Sequence, residues 1–420
     1  MSLSSRDIRQ QQCISNWVKA KGRASIEAAT GFGKTNIGLL IIKQILSKDE
    51  TKRILVVVPT TLLKEQWIGQ IDELGFGLSC DVQVINTIIT HKWSTDLLII
   101  DEVHRSAANE LSKVFECVNY KWILGLTATF ERLDGRQEIV ARYCPICDVV
   151  SLTECLTNGW VSPYKEYLVL VDVDDLEIYN KANAEFNEHF EFFQWNFDLA
   201  MSCIGPNAHI AKANLRNEMC RNGTEEQKKA MFKTITYHAQ RFNACMQLRK
   251  SFINNHPKKI ELARKIIEAR PFSKIVTFSN NVKMAESIGI GKVYTGKDSK
   301  KKGRTTIEDF NKETVGVLNT VKKADEGMNI VGLSVGIVIG TDSGKTKARQ
   351  RLGRVIRAEA NKKAEMFYIV INNTKEVSWF MNSHEGQPFI TIDEEELDSV
   401  LAGNESKPYK KKIQQQMFRY

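Results

Sequence analysis

The stretch from Ala28 to Thr35, Ala-Ala-Thr-Gly-Phe-Gly-Lys-Thr, has the residue types and spacing of a phosphate cradle. It stands between a short apolar run and a helical run, and Ala28 takes the place of the usual first glycine. Gly31 and Gly33 allow successive backbone N–H groups to surround an anion. We predict that Lys34 reaches the β- and γ-phosphates of ATP and that the Thr35 hydroxyl holds Mg²⁺. The predicted nucleotide-binding residues of this stretch are Thr30, Gly31, Gly33, Lys34 and Thr35.

Two adjacent carboxylates, Asp101 and Glu102, follow the apolar run 97–100. A buried strand with this ending delivers both acids to the edge of a sheet, where ligands bind in open α/β folds. Asp101 is predicted to bind Mg²⁺ and Glu102 to polarise the attacking water as the general base. His104 is predicted to link the nucleotide state to the next motif, which contains Thr127 and Thr129. The alternative is that the acids face solvent at a turn.

A third set of residues that could take part in catalysis lies in the last quarter of the chain, in the sequence Gln350-Arg-Leu-Gly-Arg-Val-Ile-Arg357. Gln350, Gly353, Arg354 and Arg357 have the three- and four-residue spacing of one helix face. Planar, permanently charged guanidinium groups suit a γ-phosphate during its transfer. We predict catalytic roles for Gln350, Arg354 and Arg357. A solvated basic helix is the alternative.

Several polar residues are less specific signals. Arg9 and Gln12, in a helix before the glycine-rich stretch, are predicted to recognise the adenine, although a solvated helix face fits them as well. Thr60 and Asn86 follow two predicted strands, and short hydroxyl and amide side chains at such places can hold a nucleic-acid backbone. Turns and helix caps use the same residue types.

The order of these motifs resembles that of superfamily 2 helicases: the glycine-rich loop, Val-Val-Pro-Thr, Asp-Glu-Val-His and Leu-Thr-Ala-Thr. The segment 124–136 is similar to the XPB/RadD-like branch and to phage UvsW-like branch-migration helicases. XPB-like proteins carry an Arg-Glu-Asp element after this motif. Here it reads Arg132-Leu133-Asp134, without the middle acid.

The resemblance implies two tandem RecA-like parallel-sheet lobes of the α/β class, joined through a helical insertion, with ATP and Mg²⁺ in the cleft between them. It makes Arg354 and Arg357 arginine fingers and places Glu326 and Gly327 where ATP is sensed. It also implies movement along DNA in the 3′-to-5′ direction. The residues expected to contact nucleic acid are Thr60, Asn86, Arg132, Ser279, Lys300, Lys301 and Thr320.

The chain divides into four predicted segments: a first motor lobe at 1–165, a helical insertion at 166–270, a second motor lobe at 271–375, and a C-terminal strap with a basic tail at 376–420. The insertion is rich in aromatic residues, which form a core or stack on bases. The basic stretch 297–304 is predicted to be a cationic loop that contacts phosphate or only increases solubility.

Composition agrees with a globular protein. The 420 residues are 42% hydrophobic and carry a net charge of +9, which permits a polyanionic partner. No apolar run approaches the roughly 20 residues of a membrane span. Nine cysteines indicate reduced thiols, and we expect the close pair Cys144 and Cys147 to serve packing rather than zinc. The expected location is the cytoplasm of a bacterial or phage-infected cell, in association with DNA.

These observations predict an ATP-dependent DNA helicase or translocase that unwinds or remodels forked or branched DNA in recombination, repair or replication. Replication or recombination proteins are the expected partners, and no membrane is expected. An RNA helicase, the motor subunit of a restriction or defence complex, and a catalytically silent scaffold are the alternatives.

Overall fold

The computed structural model contains two parallel β-sheets, one of six strands and one of seven. It describes residues 3–108, 110–130, 135–295, 300–321, 330–341, 345–357 and 362–404, with the backbone alone at 300–302, 304 and 345–347. All strand pairs of the two sheets are parallel in these residues. The predicted class of two parallel-sheet α/β lobes is confirmed.

The first lobe begins with a helix and places its strands in the order β3-β2-β4-β5-β1-β6. Two 3₁₀ turns, Val103–Ala107 and Leu111–Lys113, lie between its fourth strand and fifth helix. Its elements in chain order are α1 (Ser5–Lys19), β1 (Arg23–Ala28), α2 (Lys34–Leu46), β2 (Ile54–Val58), α3 (Thr61–Glu73), β3 (Cys80–Val84), α4 (Ile85–Ile88), β4 (Trp93–Asp101), α5 (Val114–Cys117), β5 (Val118–Thr127), α6 (Gln137–Tyr143), β6 (Ile146–Val150) and α7 (Leu152–Thr157).

The central strands of this lobe are buried on both faces because helices cover each side of the sheet. All five residues of β2, Ile-Leu-Val-Val-Val, are buried, and so are the last five of β4. Continuous β-branched runs of this kind are typical of parallel sheets. Since parallel strands end at the same edge, Ala28, Asp101 and Thr127 come to one side of the lobe.

The rest of the chain builds the second lobe and a helical insertion. The strand order of the second sheet is β13-β7-β12-β11-β8-β10-β9. No helix in the described part of the chain is long and apolar enough to cross a membrane. The elements are β7 (Tyr164–Val171), α8 (Leu176–Phe192), α9 (Phe197–Ser202), α10 (Ala208–Met219), α11 (Glu225–Asn255), α12 (Pro257–Glu268), β8 (Lys274–Ser279), α13 (Val282–Ser287), β9 (Lys292–Tyr294), α14 (Lys300–Lys312), β10 (Gly316–Val321), β11 (Val335–Val338), α15 (Lys345–Val355), β12 (Ala364–Ile371), α16 (Lys375–Ser383), β13 (Ile390–Ile392) and α17 (Glu394–Leu401).

The second lobe extends further in both directions than the sequence predicted. Strand β7 pairs with β12 and β13, so the lobe begins at Tyr164 and not at residue 271. Helix α12 packs on the same sheet, and its Leu262 and Ile266 share one hydrophobic cluster with residues of β7, β11 and β12. The insertion is therefore restricted to α8–α11. The segment predicted as a strap contributes β13 and α17 to this lobe, with Leu397 in the same cluster.

The aromatic residues of the insertion form a core. Phe193 and Phe242 are fully buried, and Phe186 stacks on Phe242 with ring centroids 4.8 Å apart. Trp195 and Phe197 stay about half exposed at the edge of this cluster. Core packing therefore accounts for most of the rings, as the first of the two interpretations held.

The prediction of a cationic loop at 297–304 is wrong from Lys300 onward, because α14 begins there. The physical reason lies at the other end of the helix, where Phe310 is fully buried and Ile307 packs against the main core. The buried Lys274 fixes that end by donating from Nζ to Asn311 O at 3.4 Å. Lysine and arginine are compatible with a helix. Burial of the apolar face of α14 then stabilises the helical conformation over a loop.

Candidate active site

The glycine-rich loop follows β1 and leads into α2, as predicted. Gly31 and Gly33 have φ of +93° and +103°, a region that side chains rarely adopt. A Cβ on Gly33 would also lie 2.7 Å from Gln10 Nε2. Ala28 is the last residue of β1 and needs no such freedom, which explains the missing first glycine. Lys34 opens α2, and its Nζ donates to Ala28 O at 3.3 Å.

Helix α1 supports this loop through different residues than the sequence predicted. Arg6 donates from Nη2 to Gly31 O at 2.6 Å and from Nε to Phe32 O at 2.8 Å. Gln10 Nε2 also donates to Phe32 O, at 3.0 Å. These bonds hold the backbone of the loop in its curved shape, with its amides available for phosphate oxygens.

Arg9 and Gln12, the residues predicted to recognise adenine, do not reach the cavity that the loop borders. The Arg9 guanidinium is held by Asp148 at 2.8 Å and Glu154 at 2.6 Å. Gln12 lies on the exposed face of α1. The prediction for Arg9 is wrong because two carboxylates of the β6–α7 region neutralise it.

The two predicted carboxylates lie at the end of β4. Asp101 Oδ2 accepts from Trp67 Nε1 at 3.0 Å, and Asp101 Oδ1 accepts from the backbone N–H of Glu102. Burial and the neighbouring Glu102 raise the pKa of Asp101 to about 6. Glu102 has φ +52°, a left-handed conformation that is uncommon outside glycine and that turns its side chain towards the cavity.

Glu102 keeps its negative charge despite its position. Burial opposes ionisation, but a hydrogen bond from His104 and the charges of Lys34 and His104 lower the pKa of Glu102. A buried, ionised carboxylate beside a phosphate cradle is suited to accept a proton from water. His104 also lies 3.0 Å from Thr127 Oγ1, which is the link to the next motif that the sequence predicted.

A cavity of about 440 Å³ lies between the two lobes at this edge, and all six predicted catalytic residues line it. The second lobe contributes Gln350 and Arg354 from α15 and Arg357 two residues beyond its end. The predicted residues of the first lobe that line it are Thr30, Gly31, Gly33, Lys34, Thr35, Asp101 and Glu102.

Helix α15 touches the glycine-rich loop directly. A Cβ on Gly353 would lie 2.1 Å from the Cβ of Thr30, so only glycine allows this approach. Just past the helix, Val161 and Arg357 form an antiparallel bridge, and Ser162 Oγ donates to Arg357 O at 3.0 Å. The segment that joins the lobes therefore fixes the backbone of the last arginine.

Buried polar atoms at this junction fit a nucleotide with a divalent cation. Among the described residues, Thr30 Oγ1 is buried without a hydrogen-bond partner. Glu102 Oε2 is also buried, with His104 Nδ1 3.4 Å away. Such atoms are costly unless a ligand or water satisfies them. Thr35 and Asp101 supply the oxygen ligands that Mg²⁺ prefers. The residues present therefore fit ATP and Mg²⁺.

The predicted nucleic-acid contacts divide into two groups. Thr60 caps α3 by accepting from Leu63 N–H, and Asn86 is exposed in α4, so both lie at the surface of the first lobe. Ser279 and Thr320 are fully buried, and their hydroxyls donate to Thr320 O and Thr277 O. Direct contact through these two side chains is contradicted, because both hydroxyls are used inside the sheet.

The other predicted nucleic-acid contacts and the predicted ATP-sensing residues lie outside the described side chains. Arg132, Glu326 and Gly327 lie outside the described residues. Lys300 and Lys301 are described only as the first residues of α14.

Sequence reasoning missed three polar residues that line the cavity: Arg6, Gln66 and Arg105. Gln66 lies in α3 next to Trp67, and Arg105 directly follows the Asp-Glu-Val-His motif. Their closeness to recognised motifs was the available signal. Cys144 and Cys147 are free thiols, and the described residues contain no group of three or more side chains that could hold a metal ion.

Comparison with known families and structures agrees with this geometry. The family "type III restriction enzyme, res subunit" matches residues 5–92 and 79–132, and the "helicase conserved C-terminal domain" matches residues 258–359. The DNA 3′-5′ translocase XPB2 of Sulfurisphaera tokodaii is 26% identical in an alignment of 388 residues that covers 87% of this chain and 81% of that protein.

Two further matches extend over most of the chain. A protein named helicase 22 of Sulfolobus islandicus filamentous virus is 24% identical, over 91% of this chain and 68% of its own. The structure of S. cerevisiae Dbp5 bound to RNA and ADP BeF3 superposes with a TM-score of 0.59 at 10% identity, over 94% of this chain and 91% of that one. This last likeness shows the RecA-like helicase fold.

Two helicase domain models in this order, relatives that run through both lobes, and a shared cavity lined by the motif residues agree with one another. The chain is an ATP-dependent helicase, and its domain models and relatives are similar to those of superfamily 2.

Proposed function

We propose that this enzyme is a DNA helicase or translocase that unwinds or remodels forked or branched DNA. The observation that carries the proposal is the cavity between the lobes, with Lys34, Asp101 and Glu102 on one side and Arg354 and Arg357 on the other. Because neither lobe holds the complete set, hydrolysis depends on how the lobes meet. Opening and closing of the cleft can therefore drive movement along a nucleic acid.

Each side of the cavity has a distinct part in the proposed reaction. The loop amides and Lys34 hold the phosphates, and Thr35 and Asp101 hold Mg²⁺. Bound Mg²⁺ would neutralise charge on the β- and γ-phosphates. Glu102 orients and deprotonates the attacking water, and Gln350 lies where it can help to position that water. Arg354 and Arg357 stabilise the charge that develops on the transferred phosphoryl group.

The choice of DNA rests on similarity and on charge. The relative XPB2 is named a DNA 3′-5′ translocase, and it matches 87% of this chain. The net charge of +9 favours a polyanionic track, although it does not separate DNA from RNA. Movement in the 3′-to-5′ direction, action on forks and the narrower UvsW-like branch-migration role are parts of the proposal. Thr60 and Asn86 are the proposed surface contacts in the first lobe.

A second candidate is the motor subunit of a restriction or defence complex. It is favoured by the match of residues 5–132 to the family of the type III restriction res subunit. Such a motor would depend on a partner for DNA recognition. Stimulation by DNA alone therefore separates the two candidates.

The test is the ATPase rate without nucleic acid and with single strands, duplex, forked DNA, a four-way junction and RNA. Lys34→Ala is the inactive control, because it removes the charge that holds the phosphates. We expect strong stimulation by forked or branched DNA, followed by strand displacement from a labelled fork. Stimulation by RNA alone would overturn the DNA assignment. Lys34-dependent turnover that no nucleic acid stimulates would favour the partner-dependent motor.

A further inference from the structure

Arg349 extends from the second lobe to the first, outside the nucleotide cavity. Its Nη1 donates to Thr129 Oγ1 at 2.9 Å, across 220 positions of sequence. Thr129 is buried, so the acceptor end of the bond is shielded from bulk water, whereas Arg349 is partly exposed. A charge-assisted bond of this kind is stronger and more directional than a neutral one. No motif considered in the sequence included Arg349.

Thr129 belongs to a hydrogen-bonded turn that leads back to the general base. The Thr127 hydroxyl donates to Thr129 O at 2.8 Å and accepts from Thr129 N–H at 3.2 Å. Since that hydroxyl has a single proton, it must accept from His104 Nδ1, at 3.0 Å, which assigns the proton to Nδ1. The same Nδ1 lies 3.4 Å from Glu102 Oε2. A continuous path therefore joins the Glu102 carboxylate to Arg349.

The position of Arg349 on α15 gives this path a mechanical consequence. Arg349 and Gly353 are four residues apart, so they lie on the same face of the helix. Gly353 contacts the glycine-rich loop at Thr30, and Arg349 contacts the end of β5 at Thr129. With one contact alone, α15 could rotate about that contact. Two contacts fix both the orientation of the helix axis and its distance from the first lobe.

We propose that Arg349 is a positioning residue that aligns α15, and with it Arg354 and Arg357, with the Glu102 network. The proposal rests on the proposed function of those two arginines. Because the anchor for Arg349 is the turn that His104 and Thr127 hold, a change at Glu102 alters the anchor. The position of the Glu102 carboxylate is thereby coupled to the placement of Arg354 and Arg357, although Arg349 does not touch the nucleotide.

The test is a double-mutant cycle with Arg349→Ala and Thr129→Val. The valine keeps the shape of threonine but removes the acceptor. We expect each variant to lower kcat about tenfold, as loss of a charge-assisted hydrogen bond would, while KM for ATP stays within about twofold. The double variant should be no slower than either single variant, because both remove the same bond. Arg349→Lys should restore part of the rate.

The controls separate this proposal from a structural effect and from the proposed function. Arg142→Ala removes an exposed arginine from α6 and should leave kcat unchanged. Thermal unfolding of all variants checks folding. Multiplicative losses of about a hundredfold in the double variant, or no loss in the singles, would overturn the proposal. The cycle can be run on basal ATPase, so it can fail or succeed even where no nucleic acid stimulates the wild type.

Discussion

The two lobes contribute to the same cavity by different structural means. The first lobe places Asp101 and Glu102 at the end of the buried strand β4 and Lys34 at the start of α2, after the loop that follows β1. The backbone itself determines where these side chains point. The second lobe presents Arg354 from helix α15 and Arg357 just beyond it, and α15 must dock on the first lobe before these side chains face a phosphate.

This difference shows which part of the site is preformed. The first lobe has its own cradle, carboxylates and supporting bonds from α1, so we expect it to bind a nucleotide without the second lobe. The arginines depend on the contacts at Gly353 and Arg349 and on the bridge between Val161 and Arg357. Nucleotide binding and turnover should therefore respond separately to mutation, with binding governed by the first lobe and turnover by the docking of the second.

The largest effect is expected when a single methyl group prevents α15 from packing against the first lobe. This change tests whether turnover and nucleotide binding depend on different lobes. Gly353→Ala puts a Cβ 2.1 Å from the Cβ and Cγ2 of Thr30, and the adjoining backbone of the loop cannot yield cheaply. We expect kcat to fall about a hundredfold, because a displacement near 1 Å misplaces the arginines. Affinity for ATP should change less than about threefold, since Arg6 and Gln10 hold the loop and the displacement falls on α15. ATPase rates and titration with a fluorescent ATP analogue measure the two quantities.

Gly69→Ala is the matched control. Gly69 lies in α3 with open space around its Cβ direction, so the substitution should leave activity unchanged and slightly stabilise the helix. If Gly353→Ala weakened ATP binding as much as it slowed turnover, α15 would be part of the binding site, and the division between the lobes would be wrong.

The preformed half of the site was also the half that could be predicted from sequence. Asp101 ends one apolar strand, and the loop that leads to Lys34 follows another. Parallel strands bring such ends to one edge, so local pattern and topology agree. The two parallel-sheet lobes followed from the resemblance to superfamily 2 helicases. The arginines of α15 were predictable because their spacing is helical and their chemistry is specific.

The wrong predictions concern residues whose roles are determined by tertiary contacts. Arg9 and Arg6 lie on neighbouring faces of α1, and the sequence does not show that Asp148 and Glu154 take the first and leave the second to the loop. Thr320 was expected at an accessible strand end, yet β10 continues to Val321 and keeps the hydroxyl inside the sheet. Burial of this kind depends on partner strands far away in the chain.

A subtler test concerns the support of Asp101 within the first lobe. Trp67→Phe keeps the ring but removes the N–H that donates to Asp101 Oδ2. A Cβ on Gly38 would lie 2.6 Å from this ring, so α2 is shaped to let the indole pass. Without the bond the carboxylate gains rotational freedom, and we expect kcat to fall about tenfold, as for a lost bond to a charged group. The Mg²⁺ concentration for half-maximal activity should rise several-fold.

The matching control is Trp17→Phe, which removes an indole bond to Ile123 O, away from the cavity. It should lower stability to a similar degree and leave the Mg²⁺ dependence unchanged. Calorimetric titration of Mg²⁺ into the ATP complex gives a readout independent of turnover. Equal Mg²⁺ dependence in both variants would mean that Trp67 only packs the core and does not orient Asp101.

The smallest expected effect concerns nucleic-acid binding by the second lobe. Ser279→Ala and Thr320→Val remove hydroxyls that donate to backbone carbonyls inside the sheet. We expect affinity for single-stranded DNA, measured by fluorescence anisotropy at fixed salt, to change less than about twofold, because a buried hydroxyl makes no contact with phosphate. The free energy of unfolding should fall by about 1 kcal/mol for each lost bond. A drop in affinity with unchanged stability would show that these hydroxyls become exposed when DNA binds. The sheet of the second lobe would then be less rigid than that of the first lobe, just as the placement of α15 is less fixed than that of the preformed site residues.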